Sequence, residues 1–322
     1  MSEFENQFFK SVYEFEELMK KTLELDIKLP SICLMGLTRS GKSLLLSSII
    51  GQDILPIEQS LDIKRPLELK LYHLNEGEPY ATLEDFKEEG LIISDFSLIK
   101  EHIQIIQKWK IKNYEEFSKP IILNIYSTKY PNMTFIDLPG MTYYPLGESP
   151  KNIIEAPTIL SRNYANDDLN LLLCAIPANE KKLEEKMHCF RCIENFGEST
   201  YRILPVLTKV DLITESGDVV KDFKEFFENK IIPFKYGCVC AKNRSSENLK
   251  NNMNLKDAIE EEKKFFEKES PLYGKLPEDC VGYDALIKKL KKAYFEVIKK
   301  IIANKVKKMN QLIGDGEKLF SN

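Results

Sequence analysis

GLTRSGKS, residues 36 to 43, lies between the apolar run SICLM and the run LLLSSII that ends at Gly51. The first run reads as a short buried strand and the second as a helix, stopped by that glycine. Strand, glycine-rich turn and helix in this order constrain the local fold strongly. The backbone N–H groups of such a turn converge on an anion, and the helix N-terminus adds its dipole. Gly36 and Gly41 allow backbone angles and a close approach that a side chain would obstruct. Lys42 is then placed to bridge the β- and γ-phosphates of a nucleotide, and the Ser43 hydroxyl to ligate Mg²⁺. The nucleotide-binding set on this loop is Gly36, Arg39, Ser40, Gly41, Lys42, Ser43 and Leu44.

The rest of the chain supplies the context that such a loop needs. RPLELKLYHL and KPIILNIYS alternate in strand fashion, and the polar stretch between them, residues 75 to 118, carries a helical pattern in FSLIKEHIQIIQKW. MTFIDLPG, LNLLLCAIP and YRILPVLTKVD are further apolar runs that end in polar turns, with helix-like segments between them. The alternation predicts an α/β fold, doubly wound, with a mainly parallel sheet whose strand C-termini carry the site.

Both ends of the chain read as helices. From residue 5 to about 28, Phe8, Val12, Phe15, Leu18, Leu23 and Leu25 recur among Lys and Glu, and Pro30 closes the segment. From Tyr283 to Leu312 there is neither proline nor glycine, and Leu286, Leu290, Tyr294, Val297, Ile301, Met309 and Leu312 form one apolar face opposite lysines. Neither helix buries its stripe alone. The expected organisation is an N-terminal helix over 1–29, a nucleotide-binding domain over 30–281 and a C-terminal helix over 282–322, the two helices forming a small bundle. A lysine-rich amphipathic helix also suits an anionic membrane surface, and that alternative stays open.

A net charge of −4 gives no reason to expect nucleic acid as a partner. No apolar run approaches the ~20 residues of a membrane-spanning helix, and MSEFENQFFK lacks the pattern of a signal peptide. Seven cysteines, an odd number without regular spacing, predict reduced thiols and a cytoplasmic location. HCFRC, residues 188 to 192, has one CxxC pair but no second pair to complete a zinc site, and reads as a helix face with buried thiols.

Two motifs specify the nucleotide. DLPG, residues 137 to 140, ends an apolar strand; the Asp137 carboxylate is placed to hold Mg²⁺ through water, and the Gly140 N–H to sense the γ-phosphate. In TKVD, residues 208 to 211, Asp211 is suited to accept hydrogen bonds from the N1–H and 2-amino groups of guanine, while the Lys209 stem covers the base. Adenine has neither donor and would leave a buried carboxylate unpaired.

Together these motifs resemble those of the dynamin family of large GTPases. The likeness extends to DLPGMT (137 to 142), to KRPLELKL (64 to 71), which resembles the segment after the dynamin first switch, and to NRS (243 to 245) after GCVCA. It covers roughly residues 5 to 310. The resemblance implies a GTPase domain that hydrolyses GTP with Mg²⁺ and dimerises across the nucleotide. It also implies a helical bundle that conveys the nucleotide state to a membrane-remodelling stalk, and peripheral attachment to membranes. On the residues matched, Asn243 and Arg244 would flank the base or ribose. No room remains for a stalk after residue 312, so the chain reads as a fragment or a minimal member.

Two segments depart from the dynamin pattern, the phosphate loop and the first switch. Thr38 and Arg39 stand where dynamins typically have Gln and Ser, and GLTRSGKS resembles instead the loop of guanylate-binding proteins and atlastins, in which an arginine acts as an internal finger. Arg39, Thr38 and Lys42 are therefore the catalytic candidates, with Ser43 and Asp137 on the metal. In the first switch, Ile63 occupies the place of a metal-binding threonine, and Ser60 or Asp62 would have to substitute for it. This motivates a second expectation, a guanine-nucleotide-dependent switch or scaffold with slow or no hydrolysis.

Overall fold

The computed structural model describes residues 9–15, 17–18, 29–57, 64–85, 90–109, 111–141, 155–179, 188–193, 196–213, 225, 227–228, 230, 232–267 and 276–320. Phe8, Leu23, Leu25, Ser60, Asp62, Ile63 and Thr142 lie outside the described residues.

Among the described residues, nine strands form one sheet: β1 (Ser31–Gly36), β2 (Leu67–His73), β3 (Tyr80–Glu84), β4 (Leu91–Ile93), β5 (Ile121–Ser127), β6 (Met133–Asp137), β7 (Asn170–Pro177), β8 (Ile203–Thr208) and β9 (Val239–Cys240). Their order is β4-β3-β5-β2-β6-β1-β7-β8-β9. The pairs β6–β1, β1–β7, β7–β8 and β8–β9 are parallel, as is β2–β5. The pairs β2–β6, β3–β5 and β3–β4 are antiparallel. The sequence shows why. NLLLCAIP is buried along its whole length, as a central parallel strand covered on both faces must be. LELKLYH buries Leu67, Leu69 and Leu71 and leaves Glu68, Lys70 and Tyr72 half-buried, the alternation of a strand with one wetter face.

In the polar stretch over 75–118, the helical pattern of FSLIKEHIQIIQKW forms a 3₁₀ turn (Phe96–Leu98) and a helix (Ile99–Gln107), and strands β3 and β4 are additions that the sequence reading did not contain. YATLE has the strand period, with Ala81 and Leu83 buried, but at five residues it is too short to stand out in a charged neighbourhood. What makes it a strand is its antiparallel pairing with β5, in which Ala81 faces Ile125 and Leu83 faces Leu123.

Helices cover both faces. One face of the sheet packs on α2 (Lys42–Ile50) and α3 (Ile99–Gln107) through Leu45, Leu46, Ile49, Ile99 and Ile103. The other face packs on α4 (Ala156–Ala165) and on the 3₁₀ turn His188–Cys192, which buries the Cys189 and Cys192 thiols. After β9, the chain continues through α5 (Ser246–Lys250) and α6 (Leu255–Glu267) to the long helix α7 (Gly282–Phe320). The N-terminal helix α1 runs over residues 9–15.

The long helix does more than pair with α1. Phe15 meets Phe295 edge-on, with ring centroids 5.8 Å apart, as the two apolar stripes require. But Leu286, Leu290, Tyr294 and Val297 are buried in the same core as β7, β8 and β9, so the first half of α7 closes the sheet directly. Phe9 likewise packs on Tyr130, and Tyr13 lies against His73. Past Ile301 the apolar face turns to solvent, with Val306, Met309 and Ile313 exposed.

Candidate nucleotide-binding site

The loops after β1, β6, β8 and β9 share one edge of the sheet, and the sequence motifs occupy them in turn. The turn after β1 is held from several sides. The Lys42 ammonium donates to the carbonyls of Leu37 (2.9 Å) and Gly36 (3.3 Å), so the loop's own backbone orients it, and the side chain is buried. Ser40 is buried beneath the loop, its hydroxyl without a hydrogen-bond partner among the described residues. Gly36 (φ 151°) and Gly41 (φ 89°) occupy backbone regions that favour glycine. A Cβ on Gly36 would also lie 2.3 Å from the Ala175 carbonyl. Leu44 falls in the first turn of α2, whose N–H groups have no intrahelical partner and point toward the loop.

The β6 loop is joined to this turn. The Ser43 hydroxyl donates to Asp137 Oδ2 at 2.6 Å. Thr38 N–H donates to the Met141 carbonyl (3.0 Å), Met141 N–H to the Gly36 carbonyl (3.1 Å), and the Thr38 hydroxyl to the Gly140 carbonyl (3.1 Å). The contact at Gly140 is so close that a Cβ there would lie 2.4 Å from Thr38 Cα. Only glycine fits this position. Ser43 and Asp137 together present hard oxygen donors, a hydroxyl and a carboxylate, which suit Mg²⁺.

The β8 and β9 loops brace the same turn from the other side. Thr208 donates to the Ser40 carbonyl at 2.7 Å, and the Asn243 amide donates to the Gly41 carbonyl at 3.1 Å. Lys209 adopts φ 54°, a left-handed conformation costly for a side-chain-bearing residue, just where TKVD turns out of β8. Asp211 stands two residues on, in a 3₁₀ turn and partly exposed.

The structure therefore gathers Gly36, Thr38, Ser40, Gly41, Lys42, Ser43, Asp137, Gly140 and Asn243 through direct contacts. Arg39 lies on the outer side of the loop, exposed, at φ 60°. Arg244 has partners other than those the resemblance implies. Its guanidinium makes a bidentate pair with Asp53 (2.8 and 3.0 Å) and donates to the Met253 carbonyl (3.0 Å). This arginine holds Asp53 below the ordinary carboxylate pKa, with Lys100 adding to the effect. The pair ties the segment after α2 to the loop after β9, and it borders a cavity of about 900 Å³ that contains none of the phosphate-loop residues.

Sequence reasoning assigned no role to Arg65. It is buried, pairs with Asp85 and donates from Nε to the Lys119 carbonyl at 2.9 Å, anchoring β2 beside β5. An arginine directly before Pro66 at a strand start was the available signal. Tyr283 enters the sequence reading only as the first residue of the C-terminal helical segment, yet its hydroxyl reaches Asn243 at 2.5 Å. Nothing in the helical spacing signals that bond.

Comparison with known proteins agrees with this geometry. A family model described as "Dynamin family" matches residues 32–209, over half of the chain. One described as "Dynamin central region" matches residues 222–321. The chain is 31% identical over 258 residues to Dynamin-1-like protein of Danio rerio, covering 76% of this chain and 36% of that protein. It is 28% identical over 293 residues to Dynamin-related protein 3B of Arabidopsis thaliana (89% and 36%) and 29% identical over 292 residues to Dynamin-related protein 12A of Glycine max (90% and 46%). It thus spans between a third and a half of the length of these relatives. Motif order, sheet topology and these matches agree: the chain belongs to the dynamin family of large GTPases.

Proposed function

We propose that this chain binds GTP with Mg²⁺ and hydrolyses it to GDP and phosphate, coupled to dimerisation through the GTPase domain and to membrane remodelling. The observation that carries the reading is the 2.6 Å bond between Ser43 and Asp137, which joins the phosphate loop to the DLPG strand end at one point. Those two residues would hold the metal, and Mg²⁺ bound there would neutralise charge on the phosphates.

The chain's own residues do the remaining work. Lys42, fixed by two loop carbonyls, presents its ammonium toward the phosphates. The N–H groups at the start of α2 donate to the same anion. Gly140, pressed against Thr38, keeps the β6 loop in register with the phosphate loop, so that the Thr38 hydroxyl and the Gly140 N–H face the transferred group together. Arg39 stabilises charge developing during transfer. This chemistry depends on position and electrostatics, and it requires no carboxylate base. Asp211 accepts from the guanine edge, while Asn243 braces the loop beneath the sugar and base.

Phosphate release from GTP tests the activity, and Asp211→Asn tests the base assignment. An asparagine presents a donor in place of one acceptor and complements the 2-oxo group of xanthine. The variant is expected to lose at least a hundredfold in kcat/KM for GTP and to regain turnover with xanthosine triphosphate. Equal loss on both nucleotides sinks the assignment. Ile63 favours a second reading, a nucleotide switch that binds GTP without turnover; tight binding with no phosphate release at any protein concentration would establish it instead.

A further inference from the structure

The first turn of the long helix is fastened to the phosphate loop by a short chain of hydrogen bonds. Glu262, on α6, is buried. One of its carboxylate oxygens accepts from the backbone N–H of Lys242 (2.8 Å) and the other from the backbone N–H of Tyr283 (2.9 Å). Gly282, at φ 80°, permits the turn that brings Tyr283 N–H to this carboxylate. With its backbone pinned, Tyr283 buries its ring and donates from its hydroxyl to Asn243 Oδ1 at 2.5 Å.

The amide of Asn243 has one acceptor and one donor end, and which end faces which neighbour is set by its partners. Because the tyrosine hydroxyl donates to Oδ1, Nδ2 is directed at Gly41, whose carbonyl it reaches at 3.1 Å. That same carbonyl accepts the first helical bond of α2, from Leu45 N–H at 2.9 Å. A Cβ on Gly41 would stand 2.5 Å from Asn243 Nδ2, so the two groups already touch. Gly41 directly precedes Lys42 and Ser43. The long helix is thus connected to the two residues that carry phosphate and metal through Tyr283, Asn243 and Gly41.

We propose that Tyr283 is a positioning residue for the nucleotide site. Its hydroxyl fixes the orientation of the Asn243 amide, which holds the Gly41 carbonyl and the phosphate-loop backbone, so the start of the long helix and the bound nucleotide stabilise one another. Coupling of this kind is reciprocal: what the helix contributes to nucleotide affinity, the nucleotide contributes to the order of the helix start. The inference rests on the nucleotide-binding reading above and adds the residue through which the helix acts on it.

Tyr283→Phe removes the hydroxyl and keeps the ring. A buried hydrogen bond of this kind is worth ~1 kcal/mol, or about fivefold in a binding constant. Binding of a fluorescent GDP analogue to the full chain is expected to weaken by about three- to tenfold in the variant. In an Asn243→Ala background, the Tyr283→Phe change is expected to shrink to under about 1.5-fold, because the hydroxyl acts through that amide. Wild-type affinity in Tyr283→Phe, or losses that add fully with Asn243→Ala, overturn the inference while leaving nucleotide binding in place. Failure of the wild-type chain to bind guanine nucleotide overturns both. If Tyr283→Phe does not fold, hydrogen exchange on the wild-type chain decides: GDP is expected to slow exchange over residues 283–287, and unchanged exchange there overturns the coupling.

Discussion

Arg39 occupies a left-handed backbone conformation, φ 60°, in which glycine is the residue at ease. An arginine kept there costs ~1 kcal/mol or more in backbone strain, and its exposed side chain contributes no core burial in return. That combination separates stability from chemistry. Arg39→Gly relieves the strain and removes the charge, whereas Arg39→Ala removes the charge and keeps the strain. If the guanidinium stabilises charge during phosphoryl transfer, single-turnover hydrolysis falls by at least tenfold in both variants, while the melting temperature of Arg39→Gly equals or exceeds the parent's. A loss below threefold, under ~1 kcal/mol, sinks the role. At this scale the glycines, Lys42, Ser43 and Asp137, which the structure brings together, stood out in the sequence because the roles proposed for them follow from residue type and spacing. It was silent on the strain at Arg39 and Lys209, and on Thr38 lying against Gly140, since backbone angles and long-range contacts have no local signature.

Between elements, the joint among β9, α6 and α7 rests on one buried carboxylate. Burial pushes the Glu262 pKa up to about 8, with Asp284 adding to the rise, while the N–H groups of Tyr283 and Lys242 and the Lys242 charge pull it down. The folded-state value lies above the unfolded value of 4.5, so the folded chain holds a proton that the unfolded chain releases throughout that interval. The contribution is complete below pH 4.5 and declines as pH rises toward 8, by at most ~1.4 kcal/mol per pH unit. Urea unfolding is therefore expected to show stability falling between pH 5 and 8 in the parent, and a flatter profile in Glu262→Gln. Equal slopes in the two proteins would remove Glu262 as the cause. The joint was hidden in the sequence: EEEKK in α6 reads as a solvated face, and its last glutamate, Glu262, is buried because the segment after β9 and the start of α7 close over it. Strands β3 and β4 escaped for a related reason. Three to five residues carry too few periods to read, and their identity comes from pairing, β3 with β5 and β4 with β3. The longer runs, β1, β2, β5, β7 and α2, were legible because each buries a regular apolar set.

Across the whole molecule, the phosphate loop is bonded on its inner side and presents Arg39 on its outer side. Lys42, Ser43 and Thr38 are each committed to contacts with the loop or the β6 strand end. An exposed guanidinium beside a phosphate is screened by water, and its effect grows steeply once the site is closed and dry. The dimerisation proposed above would supply that condition, a second copy of the GTPase domain closing over the loop. Specific GTPase activity is therefore expected to rise with protein concentration toward a plateau, and the rise to be lost in Arg39→Gly even where binding of GTP is retained. High salt should weaken the rise less than it weakens initial association, because the closed site is shielded while encounter is not. Activity that is constant and nonzero from nanomolar to micromolar chain places all the chemistry in one copy and removes the dimer from the mechanism. A rise that survives in Arg39→Gly keeps the dimer and assigns its effect to ordering of the loop, in which case the Tyr283–Asn243–Gly41 connection, rather than Arg39, is where closure would act.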